Sequence, residues 1–400
     1  MAPHALPFHA DQIGSLIRPA HLSHMLEGLV AGTVSAAELQ RAQREAIAAI
    51  VAKQQAHGMR ALTTGEFDRH VYFSGFFEAL DGFRAVRPLP WELARSAAPP
   101  MAVLRRAGLE YPMGAICESK IRHNRSPYLP YWLMLRDAVP QEQWAECKLT
   151  LPPPCHFHLR LASGKCYSSE AYSSDKEFFA DLTAAYRKEL ETLYDAGLRN
   201  FQIDDPTFAY FCNNDLLQGL RDEGIDPDEL LHLYFEAHND CIANRPPDLH
   251  AGLHVCRGNF VNSMYFSQGS YEKIAQGFFS KLNYDTFFLE YDTERAGGFE
   301  PLRFLPPDKN IVLGVVSTKT ADMEDAQAIK DRVHQAAAIV AEAQGRTVGQ
   351  VMQQMGISPQ CGFASSGVAV KGMTEDKMFA KLQLVRNVAR DLWPDRPESS

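Results

Sequence analysis

Three features are missing from this 400-residue sequence, and each absence removes a class of function. No apolar run approaches the ~18 residues that a membrane-spanning helix needs, so we expect no membrane partner. The formal net charge of −9 leaves no excess of basic residues for a nucleic-acid-binding face, so we expect no nucleic-acid partner. The glycine-rich motifs of dinucleotide and nucleoside triphosphate sites and the Gly-x-Ser-x-Gly motif of serine hydrolases are also absent.

The cysteines show no close, regular spacing, which argues against a disulfide framework. We therefore expect a cytoplasmic protein in which most of the thiols are reduced and buried. Two of them, Cys256 and Cys361, have neighbours that indicate a different role. The full set is Cys117, Cys147, Cys155, Cys166, Cys212, Cys241, Cys256 and Cys361.

Amphipathic segments alternate along the chain with short apolar runs that end in polar residues. The spacing predicts helices over residues 35–57, 175–196, 226–244, 271–282, 322–344 and 375–392, and strands over residues 60–66, 199–205, 250–256, 286–290, 310–316 and 356–362. Strands that alternate with helices pair in parallel through right-handed crossovers. About eight such units over this length favour a closed (β/α)8 barrel, or TIM barrel, with residues 1–400 as a single domain.

Residues 84–170 interrupt this alternation because they are rich in proline, including the run Pro152-Pro153-Pro154. Proline cannot donate to a sheet ladder, so we interpret this stretch mainly as an insertion over one face of the barrel. Barrel strands 3 and 4 are placed near residues 113–119 and 147–151.

A His-x-Cys pair, His254 and Cys256, stands at the end of a predicted strand. Side chains two apart on a strand point to the same face, so both can reach one ion. Imidazole and thiolate are good zinc donors. The alternative is a core cysteine beside a hydrogen-bonded histidine.

Two further residues extend this pair to a possible metal site. Glu290 ends a buried apolar run, and Cys361 lies in a turn before Gly362. An ion pair for Glu290 and a small buried side chain for Cys361 are the alternatives. Barrel enzymes gather reactive groups at the carboxyl ends of their strands, which is where these candidates fall.

A zinc ion with two thiolates and one carboxylate has an electron-rich set of ligands. Such a site still deprotonates an incoming thiol while keeping its sulfur nucleophilic. Alkyl transfer to sulfur suits this better than hydrolysis, which favours a more electrophilic metal.

Six short motifs resemble, in order, the catalytic barrel of the cobalamin-independent methionine synthase family and its short stand-alone paralogues. Each motif is short, but the occurrence of all six in the family's order is specific. They are Ile13-Gly14-Ser15, Thr64-Gly65-Glu66, Gln202-Ile203-Asp204-Asp205-Pro206, Leu253-His254-Val255-Cys256, Leu289-Glu290 and Ser358-Pro359-Gln360-Cys361-Gly362.

The resemblance implies zinc as the cofactor and a small-molecule thiol and alkyl donor as substrates. Its zinc ligands are His254, Cys256, Glu290 and Cys361. Its binding residues for a homocysteine-like substrate are Ile13, Gly14, Ser15, Glu66 and Asp204. The implied reaction is methylation of homocysteine by a donor such as 5-methyltetrahydrofolate, giving methionine, in a monomer or homodimer.

The chain departs from the family at two places. The family's Tyr-Asp-x-His stretch corresponds here to residues 314–320, where Lys319 replaces the histidine as the candidate for proton transfer. A tryptophan segment that faces the folate corresponds to residues 152–158. The donor is therefore left open.

Alternatives from other classes remain at this point. A different thiol or electrophile would give an enzyme similar to the epoxyalkyl:coenzyme M transferases. A non-catalytic barrel that binds a thiol or metabolite is a further reading. His156-x-His158 suggests a metal-dependent amidohydrolase, although that class places its pair on the first strand.

Overall fold

The computed structural model describes residues 5–260 and 264–394. Within them, six consecutive strands form one parallel sheet in the order β3-β4-β5-β6-β7-β8, and β1 and β2 pair separately. In chain order, β1 to β8 span Asp81–Val86, Gly114–Arg122, Leu149–Leu151, Asn200–Asp204, His250–Val255, Thr286–Glu290, Asn310–Val316 and Met355–Pro359. All residues of β4, β6, β7 and β8 are buried, as is usual for strands of a parallel sheet that is covered on both faces.

Two extended segments flank the six strands. Ala10 forms a parallel bridge with Ile357 of β8, and Leu62 forms one with Cys147 next to β3. The segments also contact each other, because the Leu16 N–H donates to the Gly65 carbonyl oxygen at 3.0 Å. The α/β barrel fold is confirmed, and residues 60–66 contribute a single bridge to it instead of the full strand that we expected.

Thirteen α-helices lie in the described part of the chain, most of them between successive strands. α1 to α13 span Ala20–Ala31, Ala36–Ala56, Pro99–Arg106, Leu129–Arg136, His156–Arg160, Asp175–Asp195, Thr207–Tyr210, Asn214–Asp222, Pro227–Cys241, Glu272–Lys281, Ala326–Gln344, Val348–Met352 and Glu375–Leu392. Short 3-10 helices span Phe77–Ala79, Trp91–Leu93, Gln141–Glu146, Glu294–Ala296 and Glu300–Phe304.

The helix boundaries follow from local capping chemistry. Ser35 and Glu38 form a capping box at the start of α2, each side chain bonding to the other's backbone N–H. α11 begins later than the predicted residue 322, because the Asp325 side chain accepts the Ala328 N–H and starts the helix there.

The proline-rich insertion contains the one misplaced strand of the sequence analysis. Residues 113–119 belong mostly to β2, which pairs antiparallel with β1 outside the barrel sheet. The expectation of a third barrel strand there is wrong, because periodicity identifies a strand but not the sheet that it joins. The other candidate in the insertion is correct, since residues 149–151 form β3.

The parallel pairing of β3 to β8 brings their carboxyl ends to one edge of the sheet. Asp204, His254 and Glu290 all lie at or next to such an end. Apolar faces of the surrounding helices join the strands in a continuous core that supports this edge. No helix in residues 5–260 and 264–394 combines the length and apolar character required to cross a membrane.

Candidate metal centre

Four side chains converge at the carboxyl edge of the sheet, two from the end of β5, one from the end of β6 and one from the turn after β8. One donor atom from each of His254, Cys256, Glu290 and Cys361 lies within 4.8 Å of the donor atoms of the other three. The Sγ atoms of Cys256 and Cys361 are 3.4 Å apart. The four side chains are at most 8% exposed, so their donor atoms face one another with little access to bulk water.

The imidazole of His254 is held with one nitrogen aimed into this cluster. Its Nδ1 lies 3.2 Å from the Phe288 carbonyl oxygen, which can only accept, so Nδ1 carries the proton and donates. Nε2 is buried and has no hydrogen-bond partner among the described residues. This is the tautomer of a metal-ligating histidine whose other nitrogen is anchored by the backbone.

Backbone groups after β5 orient two of the other side chains. The Arg257 N–H donates to Glu290 Oε1 at 2.7 Å, and the Gly258 N–H donates to Cys256 Sγ at 3.2 Å. Arg295 approaches Glu290 Oε2 at 3.3 Å. The ion pair considered as an alternative for Glu290 is therefore present, but it leaves the carboxylate inside the cluster.

The buried groups of the cluster shift one another's pKa values. The hydrogen bond from the Cys256 thiol holds the pKa of Cys361 well below its ordinary range and raises the pKa of Cys256. Burial raises the pKa of Glu290 to about 7. Burial opposes the charged imidazolium of His254, but Asp204 and the Cys361 thiolate raise its pKa to about 9.

These features fit a divalent metal. Two sulfurs, an unpartnered imidazole nitrogen and a carboxylate form the donor set that zinc prefers, with four donors for a tetrahedral shell. An ion there would remove the cost of burying a histidine nitrogen without a partner.

The first extended segment and the Cys361 turn lie against each other beside the cluster. The Ser15 hydroxyl lies 3.2 Å from Ser365 Oγ and accepts the Ala364 N–H at 3.3 Å. Ile13 is anchored by its carbonyl oxygen, which accepts from Gln202 Nε2 at 2.9 Å. The structure therefore brings the Ile13–Ser15 segment next to the turn that carries Cys361.

Glu66 and Gly14 meet at the same edge of the sheet. The Glu66 carboxylate lies 3.0 Å from Arg69 Nη2, and this ion pair is buried. Glu66 Oε1 also accepts from Thr150 Oγ1 at 3.0 Å. A Cβ on Gly14 would come within 2.7 Å of the Thr150 methyl group and 3.4 Å of Glu66 Oε1, so glycine is required for this close approach.

Asp204 links this region to the metal ligands. Its Oδ1 lies 3.9 Å from His254 Nε2, is buried, and has no hydrogen-bond partner among the described residues. Burial raises the pKa of Asp204 well above its ordinary value. A buried, unpartnered carboxylate oxygen is suited to accept from a cationic ligand group.

Lys319 lies next to the candidate metal centre. Its ammonium group donates to the Gly258 carbonyl oxygen at 2.5 Å and to Asn259 Oδ1 at 3.2 Å. It thereby contacts the loop that follows Cys256, and its positive charge acts to lower the pKa of Glu290.

The histidines of the amidohydrolase alternative lie in helix α5, where His156 contacts Tyr111 Oη at 3.0 Å and His158 contacts Tyr234 Oη at 2.8 Å.

A narrow cavity opens beside the cluster. Cys256 and Asp204 line it, and aromatic side chains such as Phe73 and Tyr210 form much of its wall. No sequence pattern predicted this wall or the buried Arg160 in it. The arginine follows His158 at a distance of two residues, but nothing in its sequence context indicates a cavity.

A second buried group of possible donors was also missed. His238 Nε2 lies 3.1 Å from Asp205 Oδ2, and the Cys155 thiol lies 3.4 Å from the same oxygen. Asp205 also accepts the Thr207 N–H at 2.7 Å, and His238 Nδ1 lies 2.9 Å from Tyr284 Oη. These groups satisfy one another, so we interpret them as a structural polar network under the metal centre.

The amino-acid sequence of this chain is similar to those of proteins in a known family. Residues 168–391 match the family model described as the catalytic domain of the cobalamin-independent synthases. The YxjG protein of Bacillus subtilis (strain 168) is 35% identical over 396 residues, a match that covers 97% of this chain and 95% of that protein.

Two solved structures resemble the whole chain. A Listeria monocytogenes protein assigned to the vitamin-B12-independent methionine synthases matches with a TM-score of 0.72 and 29% identity, covering 98% of this chain and 99% of that one. A B12-independent methionine synthase from Shewanella sp. W3-18-1 matches with a TM-score of 0.66 and 16% identity, over 98% and 99% of the two chains, which supports the fold alone.

Proposed function

The chain belongs to the cobalamin-independent methionine synthase family, and on that premise we propose that it is a zinc-dependent methyltransferase that converts homocysteine to methionine. The observation that carries the proposal is the buried cluster of His254, Cys256, Glu290 and Cys361, with its donor atoms within 4.8 Å of one another. We further propose that residues 1–400 form one zinc-binding barrel domain.

A zinc ion held by these four residues would acidify a bound thiol, so that homocysteine reacts as a thiolate at neutral pH. The protein side chains keep the site suited to this chemistry. Burial excludes water that would compete for the methyl group, and the backbone bonds from Arg257 and Gly258 fix the directions of Glu290 and Cys256.

The amino-acid part of homocysteine fits the groups next to the cluster. Asp204 offers a buried oxygen without a hydrogen-bond partner, and Glu66 offers a second carboxylate, so both suit the substrate ammonium group. The Ile13–Ser15 segment, with the Ser15 hydroxyl and neighbouring backbone N–H groups, suits the substrate carboxylate.

In the proposed reaction, the sulfur of homocysteine forms a bond to the methyl carbon while the bond from that carbon to N5 of a methylated folate breaks. The folate nitrogen takes up the electron pair of the broken bond and a proton. We assign Lys319 to this proton, because its ammonium group bonds to the loop that follows Cys256 and its charge acts on Glu290 of the cluster.

Zinc X-ray absorption of the purified protein tests the first half of this proposal. We expect homocysteine to add a sulfur neighbour to zinc and to shift the edge, whereas homoserine, its hydroxyl counterpart, adds none. A zinc spectrum that homocysteine leaves unchanged would reject thiol activation.

A panel of donors tests the second half. Methylfolate mono- and polyglutamates, methylcobalamin, S-methylmethionine and simple epoxides are each incubated with homocysteine and the zinc-loaded protein. We expect labelled methyl from methylfolate to appear in methionine. Transfer from another donor alone would replace the folate assignment, and a sulfur shift without transfer from any donor would favour a thiol-binding protein.

A further inference from the structure

Arg160, the last residue of α5, is a buried cation that forms no direct ion pair with any of the residues that the structure describes. Its side chain is 1% exposed, and Nη1 donates to the His156 carbonyl oxygen at 2.7 Å. Nε is buried with no hydrogen-bond partner among the described residues, and no carboxylate of those residues forms an ion pair with the guanidinium. Buried arginines are almost always paired, so this one indicates a missing anion.

The groups that surround Arg160 are neutral. Burial raises the pKa of Tyr72, Tyr111 and Tyr210, so their phenols stay protonated. The Tyr210 ring lies below the guanidinium at 5.6 Å and contributes a weak cation–π contact at most. The nearby Asp205 acts on the guanidinium through space, but its oxygens are engaged by His238 at 3.1 Å and by the Thr207 N–H, so it forms no direct ion pair with Arg160 in the described part of the chain.

Arg160 lines the same cavity that reaches the metal centre. Cys256, Asp204 and Arg160 all line this cavity, with Phe73 and Phe266 in its wall. A ligand in this space would contact flat apolar rings, meet one buried positive charge, and lie beside Cys256 of the candidate metal centre. That combination is typical of a recognition site for a small organic anion with an apolar body.

We propose that Arg160 binds the carboxylate or sulfonate group of an organic anion that occupies the aromatic cavity, and that this anion is the alkyl donor. The assignment to the donor rests on the proposed function, in which the carboxylate of homocysteine already has the Ile13–Ser15 segment. A carboxylate matches the guanidinium fork with two parallel hydrogen bonds and would use the unpartnered Nε.

Calorimetric binding to the zinc-loaded protein tests this without any alkyl transfer. The probes are 3-phenylpropionate and its neutral amide, which share an aromatic body and differ in charge. We expect the acid to bind at least about tenfold more tightly than the amide, because hydrogen bonds to a charged group are the stronger class. The preference should disappear in Arg160→Met and persist in part in Arg160→Lys.

Arg95→Met is the matched control, since Arg95 is also buried, near α5, but pairs with Glu223 outside the cavity. It should keep the full preference for the acid. Zinc content is measured in every variant, so that loss of the metal is separated from loss of the anion site. Saturating homocysteine should leave the affinity for 3-phenylpropionate unchanged.

Each contrary result has a distinct meaning. Equal affinities for acid and amide, or no binding of either probe, would overturn the anion site. A preference that survives Arg160→Met would place the carboxylate on zinc and overturn it as well. Competition between 3-phenylpropionate and homocysteine would overturn the donor assignment. This assay uses no methyl donor. Its outcomes can therefore be interpreted even if the proposed methyl transfer is not observed.

Discussion

Asp204 and Asp205 are adjacent in the chain but reach opposite sides of the barrel wall. Asp204 Oδ1 lies 3.9 Å from His254 Nε2 in the candidate metal centre, whereas Asp205 Oδ2 lies 3.1 Å from His238 Nε2 of α9. This follows from the alternation of side chains at the end of a strand. Two neighbouring carboxylates therefore have separable roles, one toward the substrate and one toward the fold.

We expect Asp204→Asn to weaken homocysteine binding and leave the metal in place. The substitution keeps the shape of the side chain but removes the charge that would face the substrate ammonium group. The KM for homocysteine should rise about 10- to 100-fold, as for loss of a charge-assisted hydrogen bond. Zinc content should match the wild-type protein. A normal KM in Asp204→Asn would remove Asp204 from the substrate site.

We expect Asp205→Asn to lower stability instead of substrate affinity. It weakens the buried bonds to His238 and Thr207, at a cost of about 2 kcal/mol in the free energy of unfolding by urea at pH 7. The KM for homocysteine should stay near the wild-type value, which makes the two variants controls for each other. Asp248→Asn, in the exposed pair with Arg199, should change stability by less than about 1 kcal/mol.

The pH dependence gives a second check on Asp205. Burial opposes its charge, but the hydrogen bond from His238 holds the pKa of Asp205 below its ordinary value of 3.8. Its contribution is therefore complete above that value and is lost as the pH falls through the lower pKa of the folded state. The stability difference between wild type and Asp205→Asn should shrink in acid and stay constant near neutrality. A difference that grows in acid would contradict this.

The sequence predicted the fold wherever periodicity and local stops determine an element. The boundaries of α2, α6 and α13 agree with the capping residue or glycine at their ends, such as Ser35 and Gly197. The apolar runs of β4, β6 and β7 are buried throughout, so their lack of alternation was itself a signal. The partner of β2 was not predictable, because it depends on contacts with β1 that no local pattern records.

Some residues of the candidate site could also be predicted from the sequence, whereas others could not. Residues with distinctive neighbours, such as His254, Cys256 and Cys361, were recognised before their proximity was known. Arg160 was not, because its significance depends on the absence of a counterion in three dimensions. The Cys155–Asp205–His238 network was missed for a similar reason, since its members come from three distant segments.

We expect Gly362→Ala to disrupt the metal centre through a steric contact. A Cβ at this position would lie 1.9 Å from Ser15 Oγ, far inside van der Waals contact, so the Cys361 turn and the first segment must separate. A shift of the Cys361 sulfur should lower zinc content, and overpacking should cost about 1–3 kcal/mol of stability. Gly349→Ala, which meets nothing within 4 Å in helix α12, should leave both quantities unchanged or raise stability slightly. Equal zinc content in the two variants would contradict the packing argument.

We expect the purified protein to bind about one zinc per chain and to lose it when a ligand is removed. Cys361→Ser and His254→Ala should each lower zinc content sharply by elemental analysis after dialysis against a chelator. Cys241→Ser changes another buried cysteine, outside both candidate donor groups, and should retain the metal. Unchanged zinc in both ligand variants would refute the ligand assignment.

The Lys319→Met variant distinguishes a role of Lys319 as proton donor from a purely structural role of its charge. If Lys319 supplies the proton to the departing folate nitrogen, kcat for methyl transfer should fall about 100-fold at neutral pH, while zinc content and the KM for homocysteine stay near normal. Lys319→Arg should keep the bonds to Gly258 and Asn259 better than methionine does, but it holds its proton too firmly to restore kcat. Lys377→Met removes an exposed lysine of α13 and should have no effect. Recovery of full activity in Lys319→Arg would show that the charge positions the loop after Cys256, and loss of zinc in Lys319→Met would lead to the same conclusion.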